Sequence, residues 1–458
     1  MALESILSQW PPKLSDIQIN ELTLLATSYA FANGLLYLPP AERQPSIPES
    51  AIHAPLALFP SPFPRNLFEQ AKRLQHIYNV LYARIAQDEE FLDRIMGTEN
   101  GVGKVDEFIG QLWTGWKQLR DEGLVQVVHT FRCSAWRAQC VRSATPRVQI
   151  TRKVRLGSVL PFILQALLIT LESSYGIHAI RQTFDELSKS ATVDPTTRVL
   201  RISCSPDIHP EGFVEISTVY FRAGYAPTEY LTPQHYQTRF LLERSKAINC
   251  PSIALQLAGG KKIQQVLTQP GVLESFLSDG QRWGTGVYDA QALDELRSSF
   301  MGMWSLDVGA DLLTPDHDAL TSGKEGFGVS KARELAHSLV LKPQREGGGN
   351  NVYKESIPPF LDSLPPEERQ AWIAMELIVP PNGTGNYLVR AGGASQTPFR
   401  VDVVSELGIF GWALFGDKDG GVREKEAGWL VRTKGKDSDE GGVATGFSVL
   451  DSVLLVDE

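Results

Sequence analysis

From Asp194 onward the chain alternates apolar, β-rich runs with short helical stretches, and no other feature restricts its fold as strongly. RVLRISC (198–204) and FVEISTVYF (213–221) are rich in β-branched and aromatic residues. KARELAHS (331–338) reads as a short helix, and LVLK (339–342), AWIAMELI (371–378) and VDVVSELGIFGWALF (401–415) read as further strands. Helices mixed with strands predict an α/β or α+β architecture. Ahead of this region, residues 66–123 are helical in pattern. Val105, Phe108, Ile109, Leu112, Trp116 and Leu119 recur at helix spacing as a core-facing stripe, and Gly123 follows as a cap. Gly- and Asp-rich patches at 307–328, 381–394 and 416–427 read as loops or lid connections.

A chain of 458 residues has room for two or three domains at about 150 residues each. Its net charge of −9, with Lys and Arg spread along the chain, argues against a general nucleic-acid surface, so an anionic ligand needs a local cationic site. Cys133, Cys140, Cys204 and Cys250 form no C-x-x-C pair or secretory framework, and His is scarce, so no zinc spacing emerges. The start, MALESILSQWPPK, lacks a basic region followed by an apolar block, and no run of 18 apolar residues occurs. These features predict a soluble, cytoplasmic protein.

One window departs from its surroundings. Residues 124–171 contain no Asp or Glu, where average usage in this chain would give about six, yet they carry Arg132, Arg137, Arg142, Arg147, Arg152, Lys153 and Arg155. The apolar VLPFILQALLITL that closes the window is too short to span a bilayer.

The chemistry concentrates in LKPQREGGGNNVYKE (341–355). It is neither G-x-x-x-x-G-K-[ST] nor G-x-G-x-x-G, yet it suits a phosphate. A strand ends in Lys342, and Gly347, Gly348 and Gly349 leave backbone N–H groups free to approach an anion closely. Asn350 and Asn351 add side-chain amides. Glu346 can bridge a divalent cation, because Mg²⁺ takes carboxylate oxygen alongside substrate phosphates.

Six motifs in order carry a family resemblance: VYFRAGY (219–225), QLAGGKKIQQVLTQPGVLE (256–274), KPQREGGGNNVY (342–353), AMELI (374–378), SELGIFG (405–411) and LVRTK with EGGVATGF (430–447). Together they resemble eukaryotic glutathione synthetase, over residues 176–458 and more loosely over 1–123. The resemblance implies an ATP-grasp fold with a helical N-terminal region, a substrate-binding domain and a glycine-rich lid, ATP-dependent ligation of γ-glutamylcysteine to glycine, Mg²⁺, and a homodimer. It divides the chain into an N-terminal helical part (1–123), the acid-free segment (124–171), a substrate-binding domain (172–300) and a C-terminal ATP-grasp and lid region (301–458).

Roles follow from the matching positions. Lys261, Lys342, Gly347 to Gly349, Asn351, Tyr353, Met375, Glu376, Leu377, Ile378, Glu406 and Lys434 look like ATP contacts, and Glu346 like a magnesium ligand. Arg222, Tyr225, Arg432, Val443 and Ala444 look like contacts to γ-glutamylcysteine or to the lid over it, with Arg432 resembling the arginine that binds the peptide and serves as the catalytic residue. The small, apolar lid predicts glycine as acceptor. The family's F-R-S-D-Y and E-F-N-T motifs fall where the acid-free window lies. Only TFRCSAW remains, which makes Arg132 the substrate arginine and leaves no Glu/Asn magnesium pair. Two classes therefore stand side by side: an active carboxylate–amine ligase, and a defective ATP-binding isoform in which 124–171 replaces the family motifs through a shifted frame, unusual splicing or degeneration.

Overall fold

The structure is a computed structural model. It describes residues 9–37, 51–126, 129–131, 148–151, 170–206, 209–284, 286–307, 326–344, 350–379, 384–390, 398–416, 421–438, 443 and 446–457.

The N-terminal helical reading holds in detail. Helix Arg65–Gln87 buries Phe68, Leu74, Ile77, Leu81 and Ile85. Helix Glu89–Met96 begins at Asp88, whose carboxylate accepts the Phe91 N–H at 2.9 Å. Asp106 does the same for helix Glu107–Asp121 through Ile109 N–H at 3.0 Å. The expected stripe of Phe108, Ile109, Leu112, Trp116 and Leu119 is buried, while Val105 lies just before the cap. Gly123 closes the helix with φ of +69°, a conformation that glycine adopts without strain.

The strands sort into distinct sheets. One is wholly parallel, in the order 248–250, 218–220, 148–151, 179–182. A second, antiparallel, joins 213–216, 200–203 and 191–193. FVEISTVYF therefore supplies two strands to two sheets, broken at Ser217. A third sheet, antiparallel, has the order 303–305, 372–376, 339–343, 352–353. The largest runs 385–389, 56–57, 449–451, 423–435, 399–415, 129–131, and because 385–389 also pairs with 399–402 it curls back on itself. Its long hairpin, Phe399–Phe415 with Arg423–Gly435, carries a register shift at Phe410/Gly411. Gly411 is needed there, since a Cβ would come within 2.6 Å of Asn79 Oδ1 on the helix packed beneath.

The acid-free window contributes to two of these sheets: 129–131 pairs with 413–415, and 148–151 lies between 218–220 and 179–182. Its start is held by neighbours. Arg198 donates to Leu124 O at 2.6 Å and Val125 O at 3.1 Å, and Gln126 accepts the Asn249 N–H at 3.0 Å.

Two cores result. The larger gathers the N-terminal helices, the parallel sheet and helix Ile253–Ala258. The smaller packs Leu339, Leu341, Ala374, Val329, Ala332, Ile357 and Leu361 on one face of the third sheet.

Candidate functional site

The third sheet separates its two faces by the period-2 rule. Trp304, Ala374, Leu341 and Val352 lie in register and pack into the smaller core. The next row, Met303, Met375, Val340 and Tyr353, points to the other side, and so does the row Ser305, Ile373, Lys342. That second face thus offers a flat apolar and aromatic strip beside a lysine. Burial pushes the Lys342 ammonium below its ordinary pKa, and the Glu406 carboxylate opposes the shift. A half-buried ammonium of this kind gains from any anion brought beside it.

Glu406 belongs to the long hairpin, and its charge acts on Lys342 in the third sheet. In register with Glu406 stands Arg432, whose Nη2 lies 2.5 Å from Glu406 Oε2, and Lys434 Nζ is 4.0 Å from Oε1. Lys342, Arg432 and Lys434 against one carboxylate leave an excess of positive charge, which suits an anionic ligand. The opposite face of the hairpin is fixed by a hydroxyl network. Ser405 and Thr433 share a hydrogen bond of 2.8 Å, while Thr433 and Ser61 both donate to Asp451 Oδ2, at 2.5 and 2.7 Å. Burial raises the Asp451 pKa and these hydroxyls counter it.

The remaining expected ATP residues are distributed around this face. Lys261 is the first residue of helix Lys261–Leu267, and its ammonium donates to Gln264 Oε1 at 3.1 Å. A cation at a helix N-terminus runs against the macrodipole preference, which marks Lys261 as placed for something other than helix stability. Asn351 Nδ2 donates to the Tyr353 hydroxyl at 3.0 Å and orients the ring. The Glu376 side chain is engaged elsewhere: it accepts the Gly302 N–H at 2.8 Å, while Glu376 N–H donates to Gly302 O at 3.0 Å. Strand 372–376 ends there, Leu377 N–H bonds Ser338 O at 2.9 Å, and Ile378 is exposed. What AMELI can offer a ligand is therefore the Met375 side chain and backbone. Val443 accepts the Gly446 N–H at 3.2 Å in a turn. Arg132, Glu346, Gly347, Gly348, Gly349 and Ala444 lie outside the described residues.

Arg222 and Tyr225 occupy the loop after parallel strand Thr218–Tyr220, and the carboxyl ends of parallel strands are where α/β sheets bind ligands. The loop is tightly held. Glu229 Oε2 accepts from Gly224, Tyr225 and Ala226 N–H at 2.9, 2.8 and 3.3 Å, Gln256 Nε2 donates to Gly224 O at 2.7 Å, and the Tyr225 hydroxyl donates to Phe221 O. Gly224 sits at φ +89°, a conformation that strains any side chain, and a Cβ there would also come 3.0 Å from the Tyr230 hydroxyl. The Arg222 guanidinium lies 5.9 Å from the Tyr220 ring. Behind the loop, Arg239 and Glu243 form a buried pair at 2.8 Å, with Arg239 stacked 4.0 Å from the Phe221 ring and also donating to Pro251 O at 3.0 Å. Gln256, which grips the loop, precedes Lys261 by five positions, so one short stretch of chain joins the FRAGY loop to the cationic site.

Sequence reasoning missed Lys262 and Gln344. Lys262 is buried and bonds Asp307, and Gln344 accepts its backbone N–H. The signal was present in the helix phase, since Lys262, Ile263 and Val266 share the buried side.

Residues 16–455 match the family described as "Eukaryotic glutathione synthase, ATP binding domain". The chain is 33% identical to glutathione synthetase of Homo sapiens, with 97% of this chain and 99% of the relative covered. It is 29% identical to that of Dictyostelium discoideum, covering 96% and 99%. A glutathione synthetase-like effector from Globodera pallida, solved in its apo form, superposes with a TM-score of 0.65 at 20% identity, covering 97% of this chain and 98% of its own, and so shares the fold. The chain belongs to the eukaryotic glutathione synthetase family.

Proposed function

We propose that the face between the third sheet and the long hairpin binds ATP, and that the chain uses it to join γ-glutamylcysteine to glycine. The observation that carries this reading is Lys342 beside the strip of Met303, Met375, Val340 and Tyr353, under the influence of the Glu406 carboxylate that Arg432 and Lys434 flank. An apolar strip suits a planar base, and a cationic row next to it suits the phosphates.

A carboxylate is a poor electrophile at neutral pH. An oxygen of the γ-glutamylcysteine C-terminal carboxylate attacks the γ-phosphorus of ATP, and ADP leaves. The glycine amine then attacks the acyl carbon, phosphate leaves with that oxygen, and the amine loses a proton. Little covalent chemistry falls to the protein, so its residues act by placing reactants and offsetting charge. Lys342, Lys261 and Lys434 would hold the phosphates, Arg432 the peptide carboxylate, and Arg222 and Tyr225 the remainder of the peptide. The loop of Gly347 to Gly349 and the lid at Val443 and Ala444 would exclude water from the acyl phosphate.

Among the described residues no three His, Cys, Asp or Glu gather around a metal position. Mg²⁺ that arrives with ATP fits such a site, because phosphates supply most of its ligands and one or two carboxylates suffice. Glu346 is the carboxylate we assign to it, and the ion when bound would neutralise phosphate charge. A homodimer is supported by helix Asp16–Ala32, which leaves Ile17, Leu24, Leu25 and Tyr29 exposed. No helix among the described residues is long and apolar enough to cross a membrane, and we place the protein in the cytoplasm.

The test is an assay of the full chain with ATP, γ-glutamylcysteine and glycine, for both ADP and glutathione. Wild type is expected to form glutathione, and Lys342→Met to lose at least about a hundredfold in kcat/KM for ATP. ATP binding without glutathione formation would instead support the defective isoform, which no observation favours at present.

A further inference from the structure

Lys262 is 1% exposed, and its ammonium donates to Ser305 Oγ at 2.6 Å and Asp307 Oδ2 at 2.7 Å. Its backbone N–H donates to Gln344 Oε1 at 2.8 Å, and Gln344 Nε2 in turn donates to Ala371 O at 3.2 Å. These bonds join three separate elements. Lys262 is the second residue of the helix that begins with Lys261. Ser305 ends the edge strand of the third sheet and lies in the same row as Lys342. Gln344 follows strand Leu339–Pro343 and leads directly into 345–349. The junction is closely packed: a Cβ on Gly260 would stand 3.1 Å from Leu257 O and 3.3 Å from Gln344 Oε1.

We propose that Lys262 is a positioning residue of the nucleotide site, holding both the helix start that presents Lys261 and the end of the strand that carries Lys342. Two neighbouring lysines thus divide the work. Lys261 remains on the half-exposed side for the phosphates, while Lys262 locks its helix to the sheet that carries Lys342. The inference rests on the reading of this face as the ATP site. An amide is needed at 344 to accept the Lys262 N–H and donate to Ala371 O, and a long cation is needed at 262 to reach Asp307, a largely enclosed carboxylate whose Oδ1 already has no partner among the described residues. A misplacement of the order of an ångström at a phosphate contact is enough to lower the rate by up to about a hundredfold.

The experiment compares Lys262→Met, Lys262→Arg, the double variant Lys262→Met/Asp307→Asn, and Gln344→Ala in the full chain. Steady-state kinetics are taken with ATP and γ-glutamylcysteine varied separately, together with thermal melting. Asp307→Asn in the double variant removes the orphaned charge and should recover the melting temperature lost in Lys262→Met. The KM for ATP is nevertheless expected to stay about tenfold raised, with that for γ-glutamylcysteine unchanged, and Lys262→Arg to restore part of it. Gln344→Ala, which leaves the ion pair intact, should raise the KM for ATP severalfold and decides the matter if the position-262 variants do not fold. An ATP KM within twofold of wild type in the folded double variant, or in Gln344→Ala, overturns the proposal. If Lys342→Met is equally silent, the site reading itself has failed; if Lys342→Met is impaired, only the role of Lys262 has.

Discussion

Two arginine–glutamate pairs of similar length have opposite circumstances. Arg239 and Glu243 are each 1% exposed, and every charged edge meets protein: Phe221 under the guanidinium, Pro251 O beside it, and Ile253 N–H and Asn249 Nδ2 on the carboxylate. Arg432 and Glu406 are 24% and 38% exposed and stand beside two lysines, with water on the remaining side. The first pair has no edge left for a ligand and fixes the ends of the parallel strands under the FRAGY loop. The second can exchange a partner for a substrate carboxylate or phosphate at little desolvation cost. What separates scaffold from site here is how completely the charges are enclosed.

The largest effect should come from breaking the enclosed pair. Glu243→Ala leaves Arg239 buried without its carboxylate, and is expected to cost about 3–5 kcal/mol in denaturant unfolding. Burial already pulls the Glu243 pKa upward, with Arg239 the main opposing influence, so the carboxylate depends on that partner. A loss below about 1 kcal/mol would mean that water reaches the pair, and the contrast with Arg432–Glu406 would collapse.

A buried base with no counter-charge among the described residues sharpens the same point. His129 stacks on Phe415 at 5.2 Å between centroids, and its Nδ1 lies 3.1 Å from Ser252 Oγ. Burial lowers its pKa to about 4. The folded state therefore refuses a proton that the unfolded chain takes up below about pH 6.5. Its contribution is complete above pH 6.5 and is lost as pH falls towards 4, at up to about 1.4 kcal/mol per unit and about 3 kcal/mol in all. His129→Gln should remove this component, so that its unfolding free energy falls less steeply than wild type between pH 6.5 and 4.5. Parallel curves would show that the ring is protonated in the fold.

These contrasts also mark what was legible in the sequence. Helix Glu107–Asp121 was readable because its apolar period and its terminal glycine agree, while the Asp106 cap emerged only in the structure. The cationic residues proposed for the site were named because the motifs occur in order, and the structure sets Arg432 and Lys434 beside Glu406, whose charge acts on Lys342. Enclosure was not legible. Nothing in RFLLE distinguishes the buried Arg239 and Glu243 from a solvated i,i+4 pair, because burial is decided by the parallel strands packed above them. FVEISTVYF looked like one strand for the same reason: β propensity does not record which sheet a residue joins.

The half-open pair should respond in activity and not in stability. Arg432→Met is expected to lower kcat/KM for γ-glutamylcysteine about a hundredfold, or roughly 2.7 kcal/mol. Its unfolding free energy should change by less than about 1 kcal/mol, since Glu406 keeps Lys434 and water. The reverse outcome, a destabilised protein with normal kinetics in its folded fraction, would assign Arg432 to the scaffold and leave the peptide carboxylate to another residue.

The smallest effect belongs to a third pair, which completes the series. Arg65 Nε and Asp457 Oδ1 are 2.5 Å apart, as close as Arg432 and Glu406, yet their side chains are 49% and 75% exposed. By distance alone this would rank among the strongest interactions in the molecule. In water the attraction is screened, two long side chains lose rotamer freedom to make it, and the free groups are already well hydrated. Asp457→Asn should therefore shift the unfolding free energy by no more than about 0.5 kcal/mol, and the shift should vanish in 1 M salt. Arg65 opens helix Arg65–Gln87, which packs beneath the long hairpin through its buried face, so loss of this surface contact should leave glutathione formation unchanged. A cost near that of Glu243→Ala would show that enclosure does not rank these pairs, and that the terminal strand Val453–Val456, paired to Ser61–Pro64 just ahead of the helix, depends on Asp457 for its seat.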